Sequence, residues 1–180
     1  ALELDAENFP SRRGRSDAEI TIGDHKAALA DLEQALKLRP DDTGVLNNLA
    51  WLLATSPDDA LRDGKRAIEL ALEACKKTEW KQAHIVSTLA ASHAETGDFE
   101  AARKFSRQAV ELGADGDSRE QLRQELESYE AGKPWRERQE AAEEGEPADT
   151  RPAAEEPAKP AGKPAGTAAR EAKPRRPFDD

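Results

Sequence analysis

Few residues in this chain have the types and the spacing that catalysis or metal binding requires. Two of the histidines, His84 and His93, are nine residues apart in a segment of helix-forming residues. On a helix that separation places two side chains about half a turn out of phase, so the imidazoles face different ways and cannot chelate one metal ion. We therefore expect no metal site.

Two other features first suggest chemistry. The run 115–117 (Asp-Gly-Asp) begins like a calcium-binding loop but lacks the remaining ligands and the closing glutamate, so we interpret it as a linker between helices. Cys75 is the single cysteine of the chain, which excludes an internal disulfide, and it shares an apolar stripe with Ile68 and Leu72. A buried free cysteine usually acts as a small hydrophobic residue.

The common signatures of enzymes and cofactor sites are missing from the sequence. It contains no glycine-rich phosphate loop, no His-Glu-x-x-His zinc motif, no nucleophile elbow and no paired cysteines. We therefore expect a protein that is not an enzyme, with no catalytic, cofactor-binding or metal-binding residues. Recognition of another molecule by a surface remains as the function to look for.

The composition indicates an all-α fold. Charged residues make up 36% of the 180 residues and aromatic residues 4%, and alanine, leucine, glutamate, lysine and arginine dominate. The net charge of −10 disfavours a general nucleic-acid binder, which needs a basic face.

The sequence also favours a soluble, cytoplasmic protein. No apolar stretch approaches the roughly 20 residues of a membrane span, and the start lacks the basic and apolar regions of a signal peptide. However, the chain contains no methionine, which suggests that it is the C-terminal portion of something longer. A targeting segment or an upstream domain could have been lost with the rest.

The composition changes abruptly near Arg138, where prolines begin to recur among alanine, glutamate, lysine and glycine. Such a segment buries too little apolar surface to offset its ordering entropy, so we predict that residues 138–180 are disordered. We assign 133–180 as a whole to this disordered tail, with the alternative that Trp135 packs back against the preceding helix. Within the tail an acidic block at 140–156 precedes a basic block at 159–176.

An internal repeat organises the rest of the chain. The segment 1–4 (Ala-Leu-Glu-Leu) recurs at 35–38 (Ala-Leu-Lys-Leu), an offset of 34 residues, and again at 109–112 (Ala-Val-Glu-Leu). The second and third copies each follow a helical segment that starts after a Gly-Asp pair, at 23–24 and at 97–98. A period of this length indicates helical hairpins stacked in a solenoid.

These features resemble the tetratricopeptide repeat family, in its bacterial form. One unit matches the family pattern at Gly23, Ala28, Leu32, Ala35 and Pro40, and another at Leu89, Ala90, Gly97, Phe99, Ala102 and Ala109. The helix that begins at Phe9 departs from the pattern, with Arg12, Arg15 and Glu19 where apolar residues are usual. We expect that helix to be short, irregular or poorly packed.

The resemblance implies an α-solenoid of antiparallel helix pairs closed by a capping helix. In the middle unit Ala50 and Ala90 are 40 residues apart instead of 34, which leaves six extra residues. The Ser-Pro-Asp-Asp run at 56–59 reads as a helix start, so we predict that these residues lengthen the next helix from Pro57. We assign the end of a preceding helix to 1–8, repeats to 9–42, 43–82 and 83–116, the cap to 117–132 and the tail to 133–180.

In this family the first helices of the repeats line a concave groove that binds peptides or helices. The resemblance therefore implies the groove candidates Asn47, Trp51, Thr55, His84, Ser87 and Glu95. Trp51 is the favoured anchor, because aromatic residues are enriched at interface hot spots. Its alternative is packing beneath the inserted turn at Pro57. Some members clamp a C-terminal carboxylate with paired basic residues, and these are missing at Ser87 and Ala91.

The leading interpretation is a protein-binding or scaffold module. A second places the function in the basic part of the tail, which would bind a polyanion or an acidic partner, including nucleic acid weakly, through salt-sensitive contacts. A third is purely architectural: the chain is the end-piece of a larger multidomain protein. In that case an open N-terminal repeat face at Ala1, Leu2 and Leu4 could mediate self-association.

Overall fold

The computed structural model describes the backbone of residues 2–113 and 117–137, and the side chains of 9–113 and 119–137. Within these ranges the protein is all-α, which confirms the predicted fold class. The helices are α1 (Leu2–Thr21), α2 (His25–Leu38), α3 (Thr43–Thr55), α4 (Gly64–Lys77), α5 (Ala83–Glu95), α6 (Phe99–Leu112) and α7 (Asp117–Glu130), with a 3₁₀ turn at Asp59–Leu61.

Successive helices pack as hairpins. Helix α1 lies on α2, α3 on α4 and α5 on α6, while α7 covers α6 at the end of the array. Helix α3 also packs on α5, so the first helices of neighbouring hairpins are in contact. This is the arrangement of a helical solenoid with a terminal cap. No helix in the described ranges is long and apolar enough to cross a membrane.

Aspartates fix where the second helices begin. Each accepts a hydrogen bond from the backbone N–H three residues later, which satisfies a donor that the helix itself cannot. Gly23 and Gly97 precede two of these caps with φ of 79° and 83°, a left-handed conformation that favours glycine. The capping residues are Asp24 for α2, Asp63 for α4 and Asp98 for α6, and Asp42 caps α3 in the same way.

Small residues allow the helices of a hairpin to approach closely. Ala28, Ala35, Ala102 and Ala109 have no exposed surface, as the repeat pattern predicts. Larger side chains at these positions would push the two helices apart or would be forced into strained side-chain conformations. Cys75 is also fully buried, which confirms its interpretation as a small hydrophobic residue.

The predicted boundary between 1–8 and 9–42 is wrong, because α1 runs without a break from Leu2 to Thr21 and contains Pro10. Phe9 is buried, and the Arg39 guanidinium at the end of α2 lies 4.3 Å from the centre of its ring. This contact holds α1 against α2 beside the proline, so the chain remains helical where the sequence suggests a new start.

The charged face of α1 is also better packed than the sequence suggests. Arg12 Nη1 lies 3.1 Å from Asp31 Oδ1, and Arg15 Nη2 lies 2.5 Å from the same oxygen. Asp31 on α2 is 5% exposed, and its hydrogen bonds with Arg15 hold the pKa of its carboxyl below the usual range. Ion pairs therefore join α1 to α2 where apolar contacts were expected, and α1 is a regular helix.

The prediction that the inserted residues lengthen a helix from Pro57 is wrong. Helix α4 begins at Gly64, and residues 56–63 form a loop that contains the 3₁₀ turn. Asp58 Oδ1 accepts a hydrogen bond from Ala60 N at 2.9 Å, and Arg62 Nη1 donates to Ser56 O at 2.8 Å. These bonds give backbone N–H and C=O groups of the loop hydrogen-bond partners from within the loop. A longer helix is therefore not needed to pair those groups.

Candidate functional site

Helices α1, α3, α5 and α7 surround an open cavity of about 660 Å³. The first three are the first helices of their hairpins, and α7 closes the far side. The cavity therefore lies on the face that the first helices of the hairpins share, with α7 as one extra wall. Residues from these helices that line it include Asp17, Ile20, Asn47, Asn48, Trp51, His84, Ser87, Gln121, Leu122 and Glu125.

A buried carboxylate lies in the wall between α5 and α7. Glu125 is 1% exposed and accepts hydrogen bonds from Ser87 Oγ and, at 3.0 Å, from Gln121 Nε2. Burial raises the pKa of the Glu125 carboxyl, although the two hydrogen bonds act in the opposite direction. The sequence of α7 explains the position, since Glu125 shares a face with Leu122 and Tyr129, which are both buried.

Two asparagines join α3 to α1 across the cavity. Asn47 Nδ2 donates to Asn48 Oδ1 at 3.2 Å, and Asn48 Nδ2 donates to Asp17 Oδ1 at 2.8 Å. Asn47 Oδ1 is buried and accepts no hydrogen bond from the described residues. The amide pair therefore leaves one acceptor unused in the cavity wall.

After α7 the chain turns at Gly132, with φ of 69°, and residues 133–137 pack back on the repeats. We call these residues the strap. Glu137 N donates to Thr55 O at 3.0 Å, and Arg136 Nη1 donates to Ala54 O at 3.2 Å. The strap therefore lies across the end of α3.

Assignment of the strap to a disordered tail is wrong. Trp135 packs against the core, and the Arg136 guanidinium pairs with Glu95 on α5. These contacts join residues far apart in sequence, which composition does not predict. The rest of the predicted tail, residues 138–180 with both charge blocks, lies outside the described residues.

Trp51 connects the strap to the cavity. Its side chain lines the cavity and also lies close enough to Glu137 of the strap to lower the pKa of that carboxyl. Glu137 Oε2 also lies 3.6 Å from His25 Nε2. Burial raises the pKa of the Glu137 carboxyl, while His25 and Trp51 partly offset that effect. The strap thus covers the groove on one side of Trp51, and the cavity stays open on the other.

The structure brings together four of the six groove residues that the sequence predicts. Asn47, Trp51, His84 and Ser87 line the cavity. Burial lowers the pKa of the His84 imidazole. A neutral ring is therefore favoured at neutral pH.

The two other predicted groove residues lie away from the cavity. Thr55 is fully buried and its Oγ1 donates to Trp51 O at 2.8 Å, so a groove-facing role for this side chain is wrong. Glu95 is bound by Arg62 and Arg136, with the strap beside it. Both residues lie at the C-terminal ends of their helices, where the strap contacts them.

Sequence reasoning missed the contributions of α1 and α7. Asp17 was overlooked because it lies in a helix that departs from the repeat pattern. Glu125 carried a signal, since an acidic residue at helical spacing between Leu122 and Tyr129 falls on the buried stripe of an amphipathic helix.

A family profile described as the tetratricopeptide repeat matches residues 15–42. The matched segment contains the end of α1, all of α2 and the connection to α3. The search of curated proteins finds no match for the chain.

Proposed function

We propose that this chain binds a segment of a partner protein in the cavity between α1, α3, α5 and α7. Residues 15–42 match the tetratricopeptide repeat, a repeat that serves in protein–protein interaction and scaffolding, and this match supports a binding role. The observation that carries this proposal is the cavity itself. It lies on the face that the first helices of the hairpins share, and its wall includes the partly exposed side chain of Trp51.

The strap supports this location within the groove. Its residues already donate hydrogen bonds to the carbonyls of Ala54 and Thr55 and form an ion pair with the carboxylate of Glu95. A partner would have to displace these bonds to bind there. The cavity needs no such displacement, and a volume of about 660 Å³ lies within the range of pockets that take a ligand or a few side chains.

The chemistry of the wall favours binding over catalysis. Ser87 is 2% exposed and donates its hydroxyl hydrogen bond to a carboxylate that burial keeps weakly acidic. Members of this family typically act without catalysis. We therefore assign the polar groups of the wall to recognition.

The test is to select binders to the full chain from a displayed library of random short peptides. The selected pool should bind Trp51→Ala at least about tenfold more weakly than wild type, as expected when an aromatic anchor worth about 2 kcal/mol is removed. Trp80→Ala is the matched control, because Trp80 stacks on Phe105 with ring centres 6.0 Å apart and does not contribute to the cavity wall.

Thermal denaturation must show that both variants are folded. Trp51→Phe separates the two roles of this residue, because it keeps an aromatic wall but removes the indole N–H that lowers the pKa of Glu137. A pool that binds Trp51→Ala as tightly as wild type would place the binding surface elsewhere.

A further inference from the structure

The cavity wall has more negative than positive charge. It contains the carboxylates of Asp17 and Glu125 and the basic residues Lys81 and His84. Lys81 pairs with Glu79, and burial favours the neutral form of His84 by lowering its pKa. Within the described ranges, neither cavity carboxylate forms an ion pair. Among the described residues, neither carboxylate therefore has a counter-charge of its own.

Glu125 is the more informative of the two because it is almost completely buried. Its partners Ser87 and Gln121 donate hydrogen bonds but bring no charge. A buried carboxylate without a counter-charge is unfavourable, and a cation that enters the site relieves much of that cost.

Asn47 gives an independent indication of a missing donor. The residue is 9% exposed, lines the cavity, and its Oδ1 accepts no hydrogen bond in the described part of the chain. Most buried polar atoms in folded proteins have a partner. A rotation of the amide would present this oxygen to an N–H group of a ligand.

Trp51 adds an aromatic wall to the same space. The face of an indole attracts cations, and among aromatic side chains it does so most strongly. An anionic ligand would meet two carboxylates, and a neutral donor would satisfy Asn47 but leave Glu125 without a counter-charge. A cationic N–H donor with an aliphatic stem fits all three features.

We propose that the cavity binds a lysine or arginine side chain of the partner, with its cationic group beside Glu125 and Asn47 and its stem along Trp51. This inference rests on the proposed function and adds the chemistry of the partner. The recognised segment is a peptide with a basic residue as its anchor.

The test starts from the same displayed library and the full chain. Lysine or arginine should be enriched at one position of the selected peptides. In a synthetic peptide from the pool, exchange of that residue for norleucine, which keeps the stem and removes the charge, should weaken binding about tenfold or more, as loss of a charge-assisted hydrogen bond does.

Two variants of the protein locate the effect. Glu125→Gln keeps a hydrogen-bonding group for Ser87 but removes the charge, so it should weaken the basic peptide about tenfold and leave the norleucine peptide almost unchanged. Asp17→Asn, at an exposed position, should produce a smaller loss with the same selectivity. If Glu125→Gln fails to fold, the norleucine exchange, which leaves the protein unchanged, still decides whether a basic anchor is recognised.

Failure of this inference can be told apart from failure of the proposed function. Peptides that bind, lose affinity with Trp51→Ala, and yet tolerate norleucine would overturn the basic anchor and leave the groove as the binding site. A library that yields no binder to the folded chain would overturn both.

Discussion

Arg136 of the strap reaches Glu95, the last residue of α5, with its Nη2 2.5 Å from Glu95 Oε2. Arg62 of the inserted loop binds the other oxygen of the same carboxylate through Nε, at 2.9 Å. One largely buried carboxylate therefore joins the inserted loop, α5 and the strap. The insertion and the strap, both mispredicted from sequence, meet at this residue.

We expect Arg136→Ala to lower the free energy of unfolding by about 1–3 kcal/mol, because it removes the ion pair with Glu95 and the hydrogen bond to Ala54 O. Urea denaturation followed by circular dichroism measures this change. A double-mutant cycle with Glu95→Gln should give a coupling energy of about 1 kcal/mol. Additive effects would show that the pair does not hold the strap.

Glu125 should make the free energy of unfolding fall as pH rises, which is opposite to the effect of a carboxyl group whose pKa is lowered in the folded state. Burial raises the pKa of its carboxyl in the folded state. Its favourable contribution is therefore complete below the unfolded pKa, about 4.3, and is lost as pH rises through the folded value. We expect Glu125→Gln to be more stable than wild type at neutral pH, with a gain that vanishes near the unfolded pKa. A gain independent of pH would contradict this.

Asp31 should show the reverse dependence. Its hydrogen bonds with Arg15 lower the folded pKa, so the pairing stabilises the protein above the unfolded pKa and is lost as pH falls through the folded value. Arg15 is 60% exposed, so we expect Asp31→Asn to cost only about 1 kcal/mol at neutral pH. Denaturation of both proteins at neutral and strongly acidic pH tests this, since the difference should shrink in acid.

Cys75 should be unreactive in the folded protein. Burial raises the pKa of its thiol to about 11, and Sγ donates to Ile85 O at 3.7 Å. At neutral pH thiolate is scarce and the sulfur is inaccessible. An aromatic disulfide reagent should therefore label the native chain only at the rate of unfolding, and label it rapidly in denaturant. Rapid labelling of native protein would show that α4 opens locally.

The second helices of the repeats were predictable because their small residues and aspartate caps are local features. Ala28 and Ala102 are required by the close packing of the two helices of a hairpin. Asp24 and Asp98 each follow a glycine and cap the start of the next helix. The placement of Trp51 on the face of α3 that lines the cavity could also be predicted, because it follows from the helical register of α3. The repeat in the sequence was therefore sufficient to predict the helices that form most of the cavity wall.

The remaining features depend on contacts that no local pattern encodes. The arginines of α1 look unsuited to an interface until Asp31 of α2 is placed opposite them. Likewise Pro57 lies in a loop and not in a helix. Asp58 and Arg62 form hydrogen bonds with the backbone of that loop, and these bonds exist only once the turn has folded. The strap has no periodicity, and its position is set by Glu95 and by the free carbonyls at the end of α3.

The strap also changes how this array should come apart. Arg136 and Ala54 are separated by 82 positions, whereas a solenoid ordinarily has contacts only between neighbouring repeats. Such an array can fray from either end, one hairpin at a time. Here the strap, which follows α7, is hydrogen-bonded to the end of α3. Helix α3 can therefore unfold only after the strap has dissociated from it. Closing that long loop should slow folding and make unfolding more nearly all-or-none.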